Sequence, residues 1–512
     1  MRHRSFALGL ALTLATAFGR ADGPAPAPGG VSNSGLADAL RSHLAEPAFR
    51  HASWGLKVID AGTGRVRFET NAHQLLKPAS NAKLFTGALA LDQLGPEFRF
   101  LTRFLPTGPL SPRGTLQGDL IVQGGGDFTF SARFHHGDFN ASLRRAVEAI
   151  AQAGIRSIRG RLVLDDRLFR GAAYGTGWTW DDLQEYYGAE VNALSAEDNV
   201  VDVICVPPAR VDGAIRVEIQ PPTRQLTFDT RELAVVAAGG PASVEFQRLP
   251  GRSVVRLFGK LPVGGVPVTN AVSIPEPALF FGERLSAALE AAGIHVRGGI
   301  RHDEGAADRP AVRASSTRLA EFTTLSPPLR DMLPQMMKPS QNMYAQVLFL
   351  EAGRRLIGPT ASPPSSLEAL GIGALRVFLD KIGVARDEVL FDEGSGLSRG
   401  SLVTPNALVG LLQAMEHHPE HEVFLDSLPV AGVDGTLRNR LKNTRAEGNL
   451  RGKTGTLRYV HTLAGVVTNQ TGSRLIFAAM LNAYQPGTNQ PSGRAAVEEV
   501  ARLLANSTDG AP

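Results

Sequence analysis

Three short elements of this 512-residue sequence set hydroxyls, amines and an amide at spacings that suit acyl transfer. The first is Ser80-Asn81-Ala82-Lys83, at the head of a run (81–93) that reads as a helix. On a helix start, residues i and i+3 share a face, so the Ser80 hydroxyl and the Lys83 amine come within hydrogen-bond reach. A free serine is a poor nucleophile near neutral pH. It needs an adjacent base, and a buried lysine among other cations loses its proton and serves as one. The helix N-terminus also aims backbone N–H groups at developing negative charge. Taken alone the element says little, because a serine that only caps a helix gives the same pattern. The second element is Ser340-Gln341-Asn342, preceded by Lys338-Pro339, and the third is Lys453-Thr454-Gly455-Thr456, just ahead of a strand. Gly455 lets a substrate backbone approach closely, and Lys453 supplies a cation that holds a carboxylate. Each is again weak by itself. Their order carries the reading: Ser-x-x-Lys on a helix, then Ser-x-Asn in a loop, then Lys-Thr-Gly on a late strand, three coincidences that are hard to reach by chance.

Bringing these groups together takes elements from both ends of the chain. Residues 31–50 read as a helix, with Leu36, Leu40 and Leu44 spaced four apart. Strands follow at 54–60 and 66–70, joined by the turn Ala61-Gly62-Thr63-Gly64. From about 100 to 317 the texture is strand-rich with Gly and Pro punctuation, with strands predicted at 118–123, 161–166, 200–206, 215–219, 243–249 and 253–258, and helices at 140–153 and 277–292. Helical patterns return at 329–355, 367–382 and 405–415, followed by strands at 458–468 and 474–482 and a helix at 494–504. The first and last parts match in texture and are expected to share a sheet. The fold class is therefore α/β (α+β), with residues 31–100 and 318–506 forming a discontinuous catalytic domain. The interruption divides into one insert domain (101–190 and 290–317) and a second β-rich insert domain (191–289).

Composition narrows the function further. A net charge of +4, from an arginine excess spread along the chain, leaves no basic block for nucleic acid. The lone cysteine, Cys205, alternates with apolar neighbours in a strand-like run and reads as a small buried hydrophobe; one cysteine allows no internal disulfide. The pairs His135/His136 and His417/His418 are adjacent residues pointing in different directions, so no metal is implied, and no cofactor either. At the N-terminus, Arg2-His3-Arg4, the apolar run 6–18 and the small-residue exit Gly19, Ala21 and Asp22 read as a cleaved signal peptide (1–23), which predicts a periplasmic protein. No later segment is long and apolar enough to span a bilayer.

Ser-x-x-Lys, a Ser-x-Asn with Asp in its middle, and Lys-Thr-Gly are the trio of class A β-lactamases and penicillin-binding proteins. The chain resembles more than the trio. From about Ser53 to the C-terminal helix it is similar to the class C, low-molecular-mass penicillin-binding proteins of the D-Ala-D-Ala carboxypeptidase/endopeptidase type, peptidase family S13, penicillin-binding protein 4 type. Gly124-Gly125-Gly126-Asp127, Gly177-Trp178, Asp181-Asp182, Tyr186-Tyr187-Gly188-Ala189 and Ala193-Leu194-Ser195 followed by Asn199 look like that family's insert signatures. Gly394-Ser395-Gly396-Leu397-Ser398-Arg399 and Asp434-Gly435-Thr436-Leu437 look like its marks in the catalytic domain. The family also carries extra domains between the first two elements, which small β-lactamases have no room for.

The resemblance implies a serine β-lactamase/penicillin-binding transpeptidase-like domain with Ser80 as nucleophile and Lys83 as its base. Ser340 would pass the proton to the leaving D-alanine and Asn342 would orient the peptide near Lys83. Lys453 and Thr454 would hold the terminal carboxylate, and the N–H groups of Ser80 and Thr456 would form the oxyanion hole. Arg399, with an acidic insert residue aligned to Asp165 (Asp166 in second place), would bind the zwitterionic end of a diaminopimelate side chain. Asp165 also reads as a plain turn residue at the end of a strand. The implied partners are peptidoglycan stem peptides ending in D-Ala-D-Ala, their D-Ala cross-links, and β-lactam antibiotics that acylate Ser80. Four departures from the family pattern stand out: Gln341 for Asp or Asn, Glu393 for Asp before Gly394, Gly400-Ser401 for a polar pair, and Arg458 where a neutral side chain lines the pocket. Two other readings compete. A true β-lactamase needs a carboxylate to activate the deacylating water, and no motif supplies one. A periplasmic binding or scaffold protein with a residual site would not need Ser80, Lys83, Ser340, Asn342 and Lys453 together.

Overall fold

The segment Arg474–Asn482 is apolar at every interior position, and such a strand has to be covered on both faces. The computed structural model describes residues 33–169, 171, 173–303, 319–357 and 366–508. The predicted signal peptide, residues 31 and 32 of the first predicted helix and the stretch 304–317 lie outside the described residues. Five strands, β1 (Ser53–Asp60), β2 (Val66–Thr70), β3 (Arg451–Leu457), β4 (Val460–Thr468) and β5 (Arg474–Asn482), form one antiparallel sheet in the order β3-β4-β5-β1-β2. Strands from the two ends of the chain thus lie side by side, with Ser53 opposite Asn482 and Asp60 opposite Leu475.

Alternate residues of β5 serve opposite layers. Leu475, Phe477, Ala479 and Leu481 pack with Leu56 and Val58 beneath the helices Asn33–Leu44 and Gly493–Asn506, through Leu36, Leu40, Val497, Val500 and Leu504. Ile476, Ala478 and Met480 face the larger helical layer, with Leu84, Leu89, Met336, Leu408 and Leu412. Burying one such Leu or Phe contributes roughly 1.5–3 kcal/mol. A one-residue slip would exchange the two sets, so register is tightly specified. The helix Ala82–Leu94 is central to that layer: every residue from Ala82 to Leu91 is buried, as expected of a helix that is apolar on all sides.

Between Leu101 and Leu325 the chain builds separate sheets. Strands Ile300–His302, Leu162–Asp165, Leu120–Gln123, Leu101–Pro106 and Phe322–Leu325 form a five-stranded mixed sheet in that order, packed on the helix Pro277–Ala291. Three three-stranded sheets accompany it, one of Val268–Ser273, Val200–Val206 and Arg216–Gln220, one of Thr227–Val236, Val254–Pro262 and Ser243–Arg248, and a short one of His295–Val296, Ser157–Ile158 and Thr115–Leu116. Cys205 is fully buried in the first of these, and burial pushes its thiol up to about 11. The helical pattern at 329–355 is interrupted at the expected Ser-x-Asn loop: Ser340 sits at a left-handed φ of 65° between the helices Leu329–Met337 and Asn342–Ile357. Lys453-Thr454-Gly455-Thr456 lies on a late strand as expected, in β3, the strand ahead of β4.

The approach to Ser80 is fastened to this sheet. Asn482, at the end of β5, accepts the Lys77 N–H at 2.9 Å and donates to the Lys77 carbonyl at 3.2 Å. Thr462 of β4 donates to the Pro78 carbonyl at 2.9 Å. Ala79 takes a left-handed φ of 47°, a strained setting for a residue with a Cβ. Gly455 explains how β3 fits so close. A Cβ there would lie 2.2 Å from Thr462 Oγ1, 2.6 Å from the Pro78 carbonyl and 3.0 Å from Ala79 Cβ. The approach this glycine permits includes that of the turn bearing Ser80. Gly455→Ala should therefore cost about 1–3 kcal/mol, the usual range for overpacking a closed contact. Thermal denaturation would register it as a lower melting temperature; an unchanged one would mean that strand and turn separate freely.

Candidate active site

Ser80 stands half-buried on a 3-10 turn, Ala79–Asn81, that runs directly into the helix Ala82–Leu94. One turn on, Lys83 is fully buried, and its Nζ donates to Ser80 Oγ at 3.1 Å, Asn342 Oδ1 at 2.5 Å and the Ser395 carbonyl at 2.7 Å. Burial lowers the amine to about 7, against the opposing field of Glu393. The three partners are not equivalent. A carbonyl and an amide oxygen only accept, whereas a hydroxyl also donates. The Asn342 amide is held in this orientation from its other end, where Nδ2 donates to the Tyr187 carbonyl at 2.8 Å. A neutral amine has two hydrogens and one lone pair. With the hydrogens given to Asn342 and Ser395, the lone pair falls to Ser80, whose hydroxyl then donates to it.

The third element closes the other side. Lys453 of β3 is buried and donates from Nζ to Ser340 Oγ at 2.8 Å and to the Thr454 carbonyl at 2.9 Å. Burial, reinforced by the fields of Lys83 and Arg440, pulls its pKa well below the usual lysine range. Ser340 is delivered by the break between the two helices, and that break is tied to β3. Lys338 pairs with Asp434, the Thr436 N–H donates to the Lys338 carbonyl at 2.9 Å, and Thr454 Oγ1 donates to Thr436 Oγ1 at 2.8 Å. The Asp434-Gly435-Thr436-Leu437 motif thus links the second element to the third. Gln341 turns away from the site: it is buried, and its Oε1 accepts the Met343 N–H at 2.9 Å at the start of the helix Asn342–Ile357.

Glu393 shapes the loop that brings Ser395 to Lys83. Its carboxylate is fully buried and accepts the N–H groups of Ser395, Gly396 and Ser398 at 2.6, 2.7 and 3.2 Å. Gly396, at φ 78°, passes so close to the nucleophile turn that a Cβ would meet the Ala79 carbonyl at 2.0 Å. The same loop ends at Arg399, whose Nη1 donates to Thr179 Oγ1 and Asp182 Oδ2, both at 3.0 Å. Asp181 lies exposed on that turn, its carboxyl lowered by a hydrogen bond from Thr179 and by the fields of Arg399 and Arg458. Arg458 is exposed in the turn between β3 and β4, its guanidinium 5.1 Å from the Tyr459 ring centre.

Residues 36–506 match the family model described as the D-Ala-D-Ala carboxypeptidase 3 (S13) family. The chain belongs to that family. A D-alanyl-D-alanine carboxypeptidase of Actinomadura sp. (strain R39) is 32% identical over 481 residues, 92% of this chain and 84% of that protein. The D-alanyl-D-alanine carboxypeptidase DacB of Haemophilus influenzae is 28% identical over 425 residues, 81% of this chain and 82% of that one. Among solved structures, penicillin binding protein 4 (dacB) from Haemophilus influenzae matches with a TM-score of 0.74 at 24% identity, covering 93% of this chain and 99% of its own. The fold is that of the penicillin-binding proteins, and the β-lactamase alternative is set aside by the S13 membership.

In this S13 member Ser80, Lys83, Ser340, Asn342, Lys453 and Thr454 converge, and Gly455 and Thr456 follow on the same strand. The pairing of Arg399 with Asp165 does not form. Asp165 ends a strand of the insert sheet, where Arg167 grips it through Nε at 2.7 Å and Nη2 at 3.0 Å, and Gln123 donates at 3.0 Å. Asp166 accepts from Asn192 at 2.7 Å and pairs with His302 at 3.0 Å. The acid that meets Arg399 is Asp182, next to the exposed Asp181; both were already visible as a motif but without a role assigned to them. Sequence reasoning noted Glu393 and Thr436 only within family motifs and gave them no role, and it missed the carbonyls of Tyr187 and Ser395, since main-chain groups leave no residue-type signal. A titration of lysine side chains followed by NMR should find Lys83 losing its proton near pH 7. A Lys83 that titrates like a surface lysine would remove the proton acceptor from Ser80.

Proposed function

We propose that the chain is a serine-type D-alanyl-D-alanine carboxypeptidase/endopeptidase that cleaves peptidoglycan stem peptides and their D-Ala cross-links through a Ser80 acyl-enzyme. The observation that carries this reading is the donor arrangement around Lys83, which leaves its lone pair facing one group only, the nucleophile. Neutral Lys83 takes the Ser80 proton as Oγ attacks the carbonyl carbon between the two D-alanines. The N–H groups of Ser80 and Thr456 receive the oxyanion. Collapse breaks the C–N bond; Ser340, hydrogen-bonded to Lys453, gives its proton to the leaving amine and is reprotonated by the proton Lys83 took from Ser80, which returns that lysine to its neutral form. Water then hydrolyses the ester and restores Ser80. The terminal carboxylate of the substrate supplies the counter-ion that buried Lys453 lacks, with Thr454 beside it, so binding draws that lysine toward its charged form. Arg399 and Asp181 offer one charge of each sign to the zwitterionic end of the stem peptide, the part assigned at first to Asp165. Such a substrate lies outside the cytoplasm, in accord with the basic and apolar N-terminal sequence. No helix of the described residues is long and apolar enough to cross a membrane.

A β-lactam presents a strained amide and a carboxylate to the same groups. Benzylpenicillin should leave a slowly hydrolysed one-to-one adduct on Ser80, seen as an intact-mass increase, located by peptide mapping and lost in Ser80→Ala. A folded protein that leaves the drug intact and carries no adduct sinks the enzymatic reading, and rapid turnover of the drug would make it a β-lactamase. The side-chain end is tested separately. A charge-assisted hydrogen bond is worth about 1.5–3 kcal/mol, so Arg399→Ala should lower kcat/KM on a peptide with a free zwitterionic end by roughly 10–150-fold. Acylation by benzylpenicillin, which has no such end, should change little. Equal losses on both would mean that Arg399 only holds the Thr179–Asp182 turn in place.

A further inference from the structure

Two hydrogen bonds tie the insert to the first turn of the helix Asn342–Ile357. One ends at the Tyr187 carbonyl, which fixes the Asn342 amide. The other ends in the turn Glu197-Asp198-Asn199, whose three successive residues, none of them glycine, have φ of 51°, 59° and 56°. Left-handed L-residues press Cβ against the following carbonyl and occur singly as a rule, so three in a row persist only where the surroundings hold them. The surroundings do. Glu197 accepts the Ala132 N–H at 2.7 Å, and Asn199 Nδ2 donates to the Glu190 carbonyl at 2.8 Å and to Ser195 Oγ at 3.0 Å. The buried Asp198 carboxylate receives Ser131 Oγ at 2.8 Å and Arg133 through Nε at 3.0 Å and Nη2 at 2.5 Å. It also accepts the hydroxyl of Tyr344, two residues beyond Asn342 and fully buried, with its ring stacked on Phe128 at 4.1 Å.

For stability alone, well-packed apolar groups would serve at least as well as a buried ion pair, whose desolvation offsets most of its attraction. What the charged cluster adds is a fixed position for whatever bonds to it, and here that is the first turn of the helix bearing Asn342. We propose that Asp198 is a positioning residue: held in its left-handed turn, it fixes the Tyr344 hydroxyl, hence the first turn of that helix, and with the Tyr187 carbonyl keeps Asn342 Oδ1 facing Lys83. The nucleophile's base is thereby oriented from the insert, although Asp198 touches neither Ser80 nor Lys83. This role rests on the acyl-enzyme reading above.

Two variants test it. Tyr344→Phe removes one hydroxyl and keeps the ring on Phe128; Asp198→Asn keeps the shape and removes the charge. The readouts are the second-order rate of acylation by a fluorescent penicillin per titrated site, kcat and KM on a D-Ala-D-Ala peptide, and the melting temperature. A positioning role gives at least a tenfold fall in acylation rate and kcat in each variant, with KM within threefold. The double variant should then be no worse than the weaker single one, since both cut the same link. A wild-type acylation rate in Tyr344→Phe, or losses that track only the fraction of folded protein, would overturn the proposal. Should Asp198→Asn fail to fold, Tyr344→Phe decides alone. The wild-type protein separates the two levels: no adduct on its Ser80 removes the catalytic reading and this role with it, whereas an adduct together with an unaffected Tyr344→Phe removes the positioning role only.

Discussion

Lys83 lies where water does not reach, and an ammonium in such a place keeps its proton only as far as its oxygen neighbours replace lost hydration. Three oxygens do so incompletely, and the amine is left balanced near neutrality. Those oxygens come from three distant stretches of chain: its own helix, the helix that begins at Asn342, and the loop 393–399. Each has a further support. Asn342 is oriented by a main-chain carbonyl of the insert, Ser395 by the buried Glu393, and Ser80 by a turn stitched to β4 and β5. The stretch around Tyr187 is therefore part of how the surroundings of Lys83 are held, and these cannot be understood from the three short motifs alone.

A second constraint is closeness. Ala79 and Ser340 are both left-handed, and Gly396 and Gly455 both lack a side chain where one would strike the turn that carries Ser80. Ser80, Ser340 and the strand of Lys453 are pressed into contact by backbone conformations that few residues accept. This strain is stored where the chemistry occurs and is held by the sheet below.

The trio of motifs was legible because its chemistry imposes local spacing: a serine and a lysine on one helix face must be three or four residues apart. The shared sheet was legible too, from the apolar runs at both ends of the chain. What sequence could not supply was the choice of partner. Asp165 and Asp182 are both acids in the insert, and only the tertiary approach of the 394–399 loop decides which one Arg399 meets. The loop at Ser340 and the late strand of Lys453 were legible from their motifs, whereas the ends of these elements were not. Gln341, a departure from the family's usual residue, proved to serve the helix start, so the substitution falls outside the chemistry.

Lys77 and Asn482, joined by two hydrogen bonds across the sheet, are 405 positions apart in the chain. Closing a loop of that length has an entropic cost that must be met before the contact returns anything, and long-range pairings of this kind form late in folding. The insert sheets, built from nearer neighbours and with their own buried cluster, need not wait for β5. The turn that carries Ser80 therefore depends for its floor on strands far along the chain, whereas the insert sheets rest on a buried cluster of their own.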